Sequence, residues 1–181
     1  IAVIDTGIDG THTDLIGKVD AGYNYISDTA ISVGADSDDN GHGTVVAGVA
    51  TATGNNLVGI AGVDWNAHLM PVKVLDATGA GTTQDAIDGI TYAADHGATV
   101  INMSFGRGTA STALENALTY AQNKGAILVG ASGNDGAEGV DYPAKYESVI
   151  SVGAVDSANA RSSFSDYGGE LDIVAPGVNI Y

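Results

Sequence analysis

The sequence predicts an α/β protein in three layers: a mostly parallel β-sheet with helices on both faces. Three observations predict it. Short apolar runs recur along the 181 residues, and they are continuous rather than alternating, as expected of strands covered on both sides. Segments with helical periodicity fall between several of these runs, and a βαβ alternation implies parallel strands with helical crossovers. Glycine outnumbers proline by 26 to 3, which suits a compact chain with many tight turns.

Taken in order, residues 1–5 open the chain as a strand. Residues 42–53, rich in Ala and Val, read as a helix, and 69–75 as the next strand. Residues 83–96 form a helix with Ala86, Ile87, Ile90, Ala93 and Ala94 on one face. A strand follows at 99–104. The helix at 112–124 begins on a capping-box pattern, Thr112 to Glu115, and ends before Gly125, a C′ glycine. Residues 126–131, 148–154 and 171–175 complete the strands. No linker, repeat or low-complexity stretch interrupts them, so residues 1–181 are one domain or most of one.

Composition excludes several classes. Acidic residues number 22 against 6 basic ones, a net charge of −16, which argues against nucleic acid or an anionic membrane surface as partners. Such a surface keeps a protein dispersed or attracts cations. There is no cysteine, so disulfides contribute nothing. No apolar run approaches the length of a membrane span.

In open parallel sheets, chemistry gathers at the carboxyl ends of strands. Three suggestive positions fall there. Asp5 ends the run Ile1-Ala-Val-Ile-Asp5-Thr-Gly-Ile-Asp9, where a rigid strand can hold a carboxylate against a histidine. Ser104 ends the third strand. Ser132 and Asn134 follow the fourth, in Gly130-Ala-Ser-Gly-Asn134, where an amide could donate to a developing oxyanion. His42 opens a helix of small residues in Asn40-Gly-His42-Gly-Thr-Val-Val-Ala-Gly48, the setting expected of a general base. His12, His68 and His96 lack such a setting and read as surface or turn histidines.

These motifs, in this chain order, resemble the aspartate, histidine and oxyanion-binding asparagine of subtilisin-like serine proteases. Pro71-Val-Lys-Val-Leu75, Asn102-Met-Ser-Phe-Gly106, Tyr142-Pro-Ala-Lys-Tyr146 and Leu171-Asp-Ile-Val-Ala-Pro-Gly177 match the same family. The family's serine segment, Gly-Thr-Ser-Met-Ala, does not occur in these residues. The resemblance therefore implies a subtilisin-like fold truncated at both ends, with the nucleophile beyond residue 181. Val45 departs from the family pattern and is expected on the buried side of its helix.

The resemblance implies further sites. Ser104, Phe105 and Gly106 would form one edge of a substrate cleft, Gly79 and Gly81 the other, with Ala131, Ser132 and Gly133 between. Asp141 occupies the position that forms the base of the specificity pocket, where a carboxylate would favour Lys or Arg on the substrate. Asp14 with Asn56, Val58 and Ile60 resembles a tight structural calcium (Ca2+) site. Glu170 and Asp172 resemble a weaker cation site. Asp36, Asp38 and Asp39 form an acidic loop, either solvated or holding another ion.

The expected function is serine endopeptidase chemistry, peptide-bond hydrolysis by acyl transfer with an Asp-His-Ser triad. The alternative is an inactive calcium- or peptide-binding module. Without its serine, the chain alone is expected to be inactive. The implied partners are extended polypeptide substrates and a propeptide acting as inhibitor or chaperone, with no nucleic acid and no membrane. The protein is expected to be monomeric and extracellular.

Overall fold

The structure is a computed structural model that describes residues 1–106 and 108–180; Tyr181, where the sequence stops, lies outside them. Eight strands form one sheet in the order β3-β2-β4-β1-β5-β6-β7-β8. They are β1 (Ala2–Asp5), β2 (Gly22–Asn24), β3 (Thr29–Ile31), β4 (Met70–Lys73), β5 (Val100–Met103), β6 (Ile127–Ala131), β7 (Val149–Val155) and β8 (Ile173–Pro176). The helices are α1 (His42–Thr51), α2 (Thr83–Asp95) and α3 (Thr112–Asn123). Every pairing is parallel except the antiparallel β2–β3 pair at one edge.

The six expected strands and three helices are all present, and the sheet has two further strands, β2 and β3, of three residues each. Such short, half-exposed segments carry little periodicity to read. Gly22 lets β2 reach β4, because a Cβ there would lie 1.8 Å from the Pro71 carbonyl oxygen.

The caps differ in detail from the sequence pattern. The N-cap of α3 is Ser111 rather than Thr112. Tyr146 holds Ser111 in place, its hydroxyl accepting from the Ser111 N–H at 2.7 Å and donating to the Ser111 carbonyl at 2.9 Å. That shift places Glu115 one position too late for a capping box. A reciprocal box forms instead at α2, between Thr82 and Asp85. Gly125 ends α3 as expected, with φ 95° and the Ala126 N–H reaching back to the Ala121 carbonyl at 3.1 Å.

Alternate residues of β1 feed two cores. Ala2 and Ile4 join Ile90 of α2, Leu118 of α3, Ile101, Met103 and Leu128 on one face. Val3 packs with Ile8, Leu15, Val19, Ala47 and Leu69 on the α1 face. Burying each large aliphatic side chain contributes about 1.5–3 kcal/mol. Helices thus lie on both faces, but on the α1 side coverage stops short of the far strands. Ile127 of β6 and Ile173 of β8 are each 53% exposed.

Candidate active site

Asp5 ends the central strand and is fully buried. Its Oδ1 lies 2.7 Å from His42 Nδ1 and also accepts from the Thr6 N–H at 2.7 Å. Because a carboxylate only accepts, Nδ1 carries the proton and Nε2 is the nitrogen left for chemistry. Asp5 Oδ2 is buried without a hydrogen bond. An under-partnered buried carboxylate gains from a positive neighbour, so the site favours the imidazolium. The His42 pKa is accordingly raised, chiefly by the hydrogen bond to Asp5, against partial burial of the ring, which lowers it.

The half-exposed His42 ring lines an apolar groove of about 580 Å³ between α1 and the uncovered sheet, with Val45, Val49, Ser104, Val129 and Ala131 among its walls. A smaller cavity of about 170 Å³, lined by Ser132, Gly133 and Asn134, shares Ala131, Val152, Pro176 and Gly177 with that groove. Asn134 is exposed at this rim. The structure therefore brings Asp5, His42 and Asn134 to one edge of the sheet.

The expected cleft walls also meet. Gly79, Gly81, Phe105 and Gly106 line a pocket of about 250 Å³. Ser104 faces the His42 groove instead, at the junction of the two. Asp141 lies against one wall and the segment between the walls: a Cβ added at Gly106 would come within 2.8 Å of its Oδ2, and one at Gly133 within 3.3 Å. Burial, then the nearby Asp166 and Asp135, push the Asp141 pKa up. Ser104 and Ser132, the two serines singled out at strand ends, are both engaged in hydrogen bonds away from His42. Ser132 is buried with its hydroxyl on the Asp166 carbonyl, and the Ser104 hydroxyl accepts from Asn102 at 2.9 Å.

The subtilase-family peptidase S8 model matches residues 1–181.

The chain belongs to the subtilase family.

Among curated relatives, thermophilic serine proteinase from Bacillus sp. (strain AK1) is 51% identical over 180 residues, which are 99% of this chain and 44% of that protein. Thermitase from Thermoactinomyces vulgaris is 44% identical over 181 residues, all of this chain and 63% of that one. The subtilase chain thus spans between 44% and 63% of the length of these two relatives. The solved structure of a cold adapted subtilisin-like serine proteinase superposes with a TM-score of 0.88 at 37% identity, covering 99% of this chain and 63% of that chain.

Within this subtilase chain, Asp14 is buried, with Oδ1 accepting from the Asn56 amide at 2.6 Å and Oδ2 from the Ile60 N–H at 2.9 Å. These hydrogen bonds, Asn56 first, hold its pKa down despite burial. Asn55, Leu57 and Gly59 have positive φ and curl the loop around the carboxylate, and Gly59 is so close that a Cβ would fall 2.2 Å from Asp14 Oδ2. The Asp14 carboxylate and this curled loop are the groups that could hold a hard cation such as calcium, which would displace the Asn56 and Ile60 N–H donors. No group of three or more His, Cys, Asp or Glu side chains is arranged to hold a metal among the described residues. Backbone and amide oxygens would therefore supply most of the ligands. At the second expected cation site, Glu170 pairs with Lys145 at 3.0 Å and Asp172 accepts from the Ser151 N–H at 2.8 Å. A cation there would compete with bonds already made.

Val45 corrects the sequence expectation: it is 67% exposed and faces the groove, while Val46 and Ala47 pack against the sheet side. The acidic loop is partly tied to the core, though Asp36 and Asp39 stay exposed. Asp39 meets the buried Lys73 ammonium at 2.6 Å, and that ammonium also donates to the Thr6 and Leu75 carbonyls. Lys73 was the available signal, a lone lysine inside an apolar strand in register with Asp5.

Proposed function

We propose that this chain is the aspartate- and histidine-bearing part of a serine endopeptidase, with the nucleophilic serine on a segment past residue 181. The observation that carries the reading is the buried Asp5 carboxylate 2.7 Å from His42 Nδ1, with the ring at the mouth of an uncovered apolar groove. A segment seated in that groove brings a hydroxyl to Nε2.

His42 then takes the serine proton as the serine oxygen attacks the scissile carbonyl, and the buried Asp5 stabilises the imidazolium. The carbonyl oxygen gains negative charge, which the Asn134 amide stabilises by donating to it. His42 passes its proton to the leaving amine as the C–N bond breaks. Water, deprotonated by His42, hydrolyses the acyl-enzyme. An extended polypeptide lies between Gly79 to Gly81 and Ser104 to Gly106, paired by main-chain hydrogen bonds. Asp141 favours Lys or Arg before the scissile bond. Asp14, Asn56 and the Val58 and Ile60 region would hold a calcium ion, whose charge would stiffen the loop beside α1; a weaker cation site at Glu170 and Asp172 would form only by displacing Lys145 and the Ser151 N–H. On the family likeness, the enzyme works as an extracellular monomer matured by a propeptide.

The test is hydrolysis of a peptide anilide by the chain extended through the length of its relatives. Wild-type cleavage with a loss of about 10⁴-fold or more in kcat for His42→Ala is expected. No cleavage by the extended wild type supports an inactive binding module instead.

A further inference from the structure

Asp38 accepts five hydrogen bonds. Its Oδ1 takes the Thr6 hydroxyl at 2.7 Å, the Gly41 N–H at 2.9 Å and the Asn40 N–H at 3.1 Å. Its Oδ2 takes the Thr44 hydroxyl at 2.6 Å and the Thr44 N–H at 2.9 Å. The partners belong to two pieces of the active site. Thr6 follows Asp5 at the end of β1. Gly41 to Thr44 are the first turn of α1 and enclose His42. Thr6 closes the loop a second time, its hydroxyl oxygen accepting from the Gly43 N–H at 3.0 Å. Gly41 supplies no side-chain cap to α1, so Asp38 meets two of the otherwise orphaned N–H groups of that helix, those of Gly41 and Thr44, while Asn40 and Thr6 meet those of His42 and Gly43.

We propose that Asp38 is a positioning residue for the general base: it clamps the first turn of α1 to the end of β1, fixing the Asp5–His42 distance, and its charge favours the His42 imidazolium. This rests on the proteolytic reading of the same site. The charge that faces His42 comes from two elements, Asp5 on β1 and Asp38 before α1. Val45, Val46, Asn102 and Ser104, which line the groove with His42, are uncharged. Asp38 stays ionised across the working range. Partial burial pushes its pKa up, but the hydrogen bonds from Thr44, Gly41 and Thr6 outweigh this and hold it at about 2. The Lys73 ammonium is committed to Asp39. A carboxylate with five N–H and O–H donors has little reason to take a metal ion.

The test uses the extended enzyme and reads two quantities. Asp38→Asn keeps the shape but loses the charge and some of the acceptors. The His42 titration followed by NMR, and the acidic limb of kcat/KM, should both move to lower pH, because the imidazolium loses a stabilising charge. At the pH optimum kcat should fall at least about tenfold, as misplacement of a catalytic group commonly costs, while KM changes less than about twofold. Thr6→Val should lower kcat without moving the His42 titration, and Thr6→Ser should recover most of that loss. If Asp38→Asn does not fold, Thr44→Val offers the same clamp test, again with kcat reduced and the titration unmoved. An unshifted His42 titration in folded Asp38→Asn overturns the proposal, as does unchanged kcat in both threonine variants. The NMR arm is independent of peptidase activity, so it still decides the role of Asp38 if the proteolytic reading fails.

Discussion

In the proposed mechanism His42 acts as a base only when neutral, and its pKa lies above the ordinary histidine value, chiefly through the hydrogen bond to Asp5. The sign follows directly: the imidazolium persists to higher pH than in a free histidine, so kcat/KM should climb through a limb above about pH 6.5. A pH–rate profile of the extended enzyme checks this, and a limb at or below that value contradicts it. Asp141 gives a second prediction at this scale. Asp141→Gly should lower kcat/KM for Lys and Arg relative to Phe before the scissile bond by about tenfold, equivalent to about 1.4 kcal/mol. An unchanged ratio removes Asp141 from specificity. The meeting of Asp5 with His42, and the place of Asn134 on the same sheet edge, were legible because each residue sits in a motif at the end of a strand or the start of a helix. Asp38 was not, since an acidic loop reads alike whether it faces water or folds inward. Val45 misled because α1 is apolar and small nearly all round, so the sequence marks no single buried face.

Among the elements, α1 depends on its closeness to β1. A Cβ at Gly43 would lie 2.1 Å from the Gly7 carbonyl oxygen and 3.2 Å from Asp5 Cβ. Backbone cannot yield as a flexible side chain does, so Gly43→Ala should push α1 outward. The expected cost is about 1–3 kcal/mol, read as a lower midpoint in urea, together with a large loss of kcat as the Asp5–His42 bond lengthens. Wild-type stability in this variant would show that the helix has room. Strand and helix existence was readable from continuous apolar runs and 3.6-residue periodicity. The caps were less so: the Thr112–Glu115 pattern was real in sequence, but Tyr146, distant along the chain, selected Ser111 as N-cap. Strands β2 and β3 escaped because three-residue segments are set by their neighbours and not by their own pattern.

Across the whole molecule, a net charge of −16 burdens the folded state with self-repulsion, which a bound cation relieves. Calcium should raise Tm by the linkage of ligand to the native state, worth about 2.7 kcal/mol at 100 times Kd. Asp14→Ala should abolish most of that rise and Asp38→Ala should not, as scanning calorimetry with and without chelator can determine. Equal calcium responses in the two variants would take Asp14 out of the site. The uncovered face over β5 to β8 could not be read from sequence, because continuous apolar strands imply two covers without saying which part of the chain supplies them. That face adjoins His42, and the account places the nucleophile there. The most direct measurement is fluorophosphonate labelling of the extended protein, followed by mass spectrometry of its peptides. One labelled serine, beyond residue 181, is expected, and no label in His42→Ala. Label on Ser104 or Ser132, or labelling that survives His42→Ala, would contradict it.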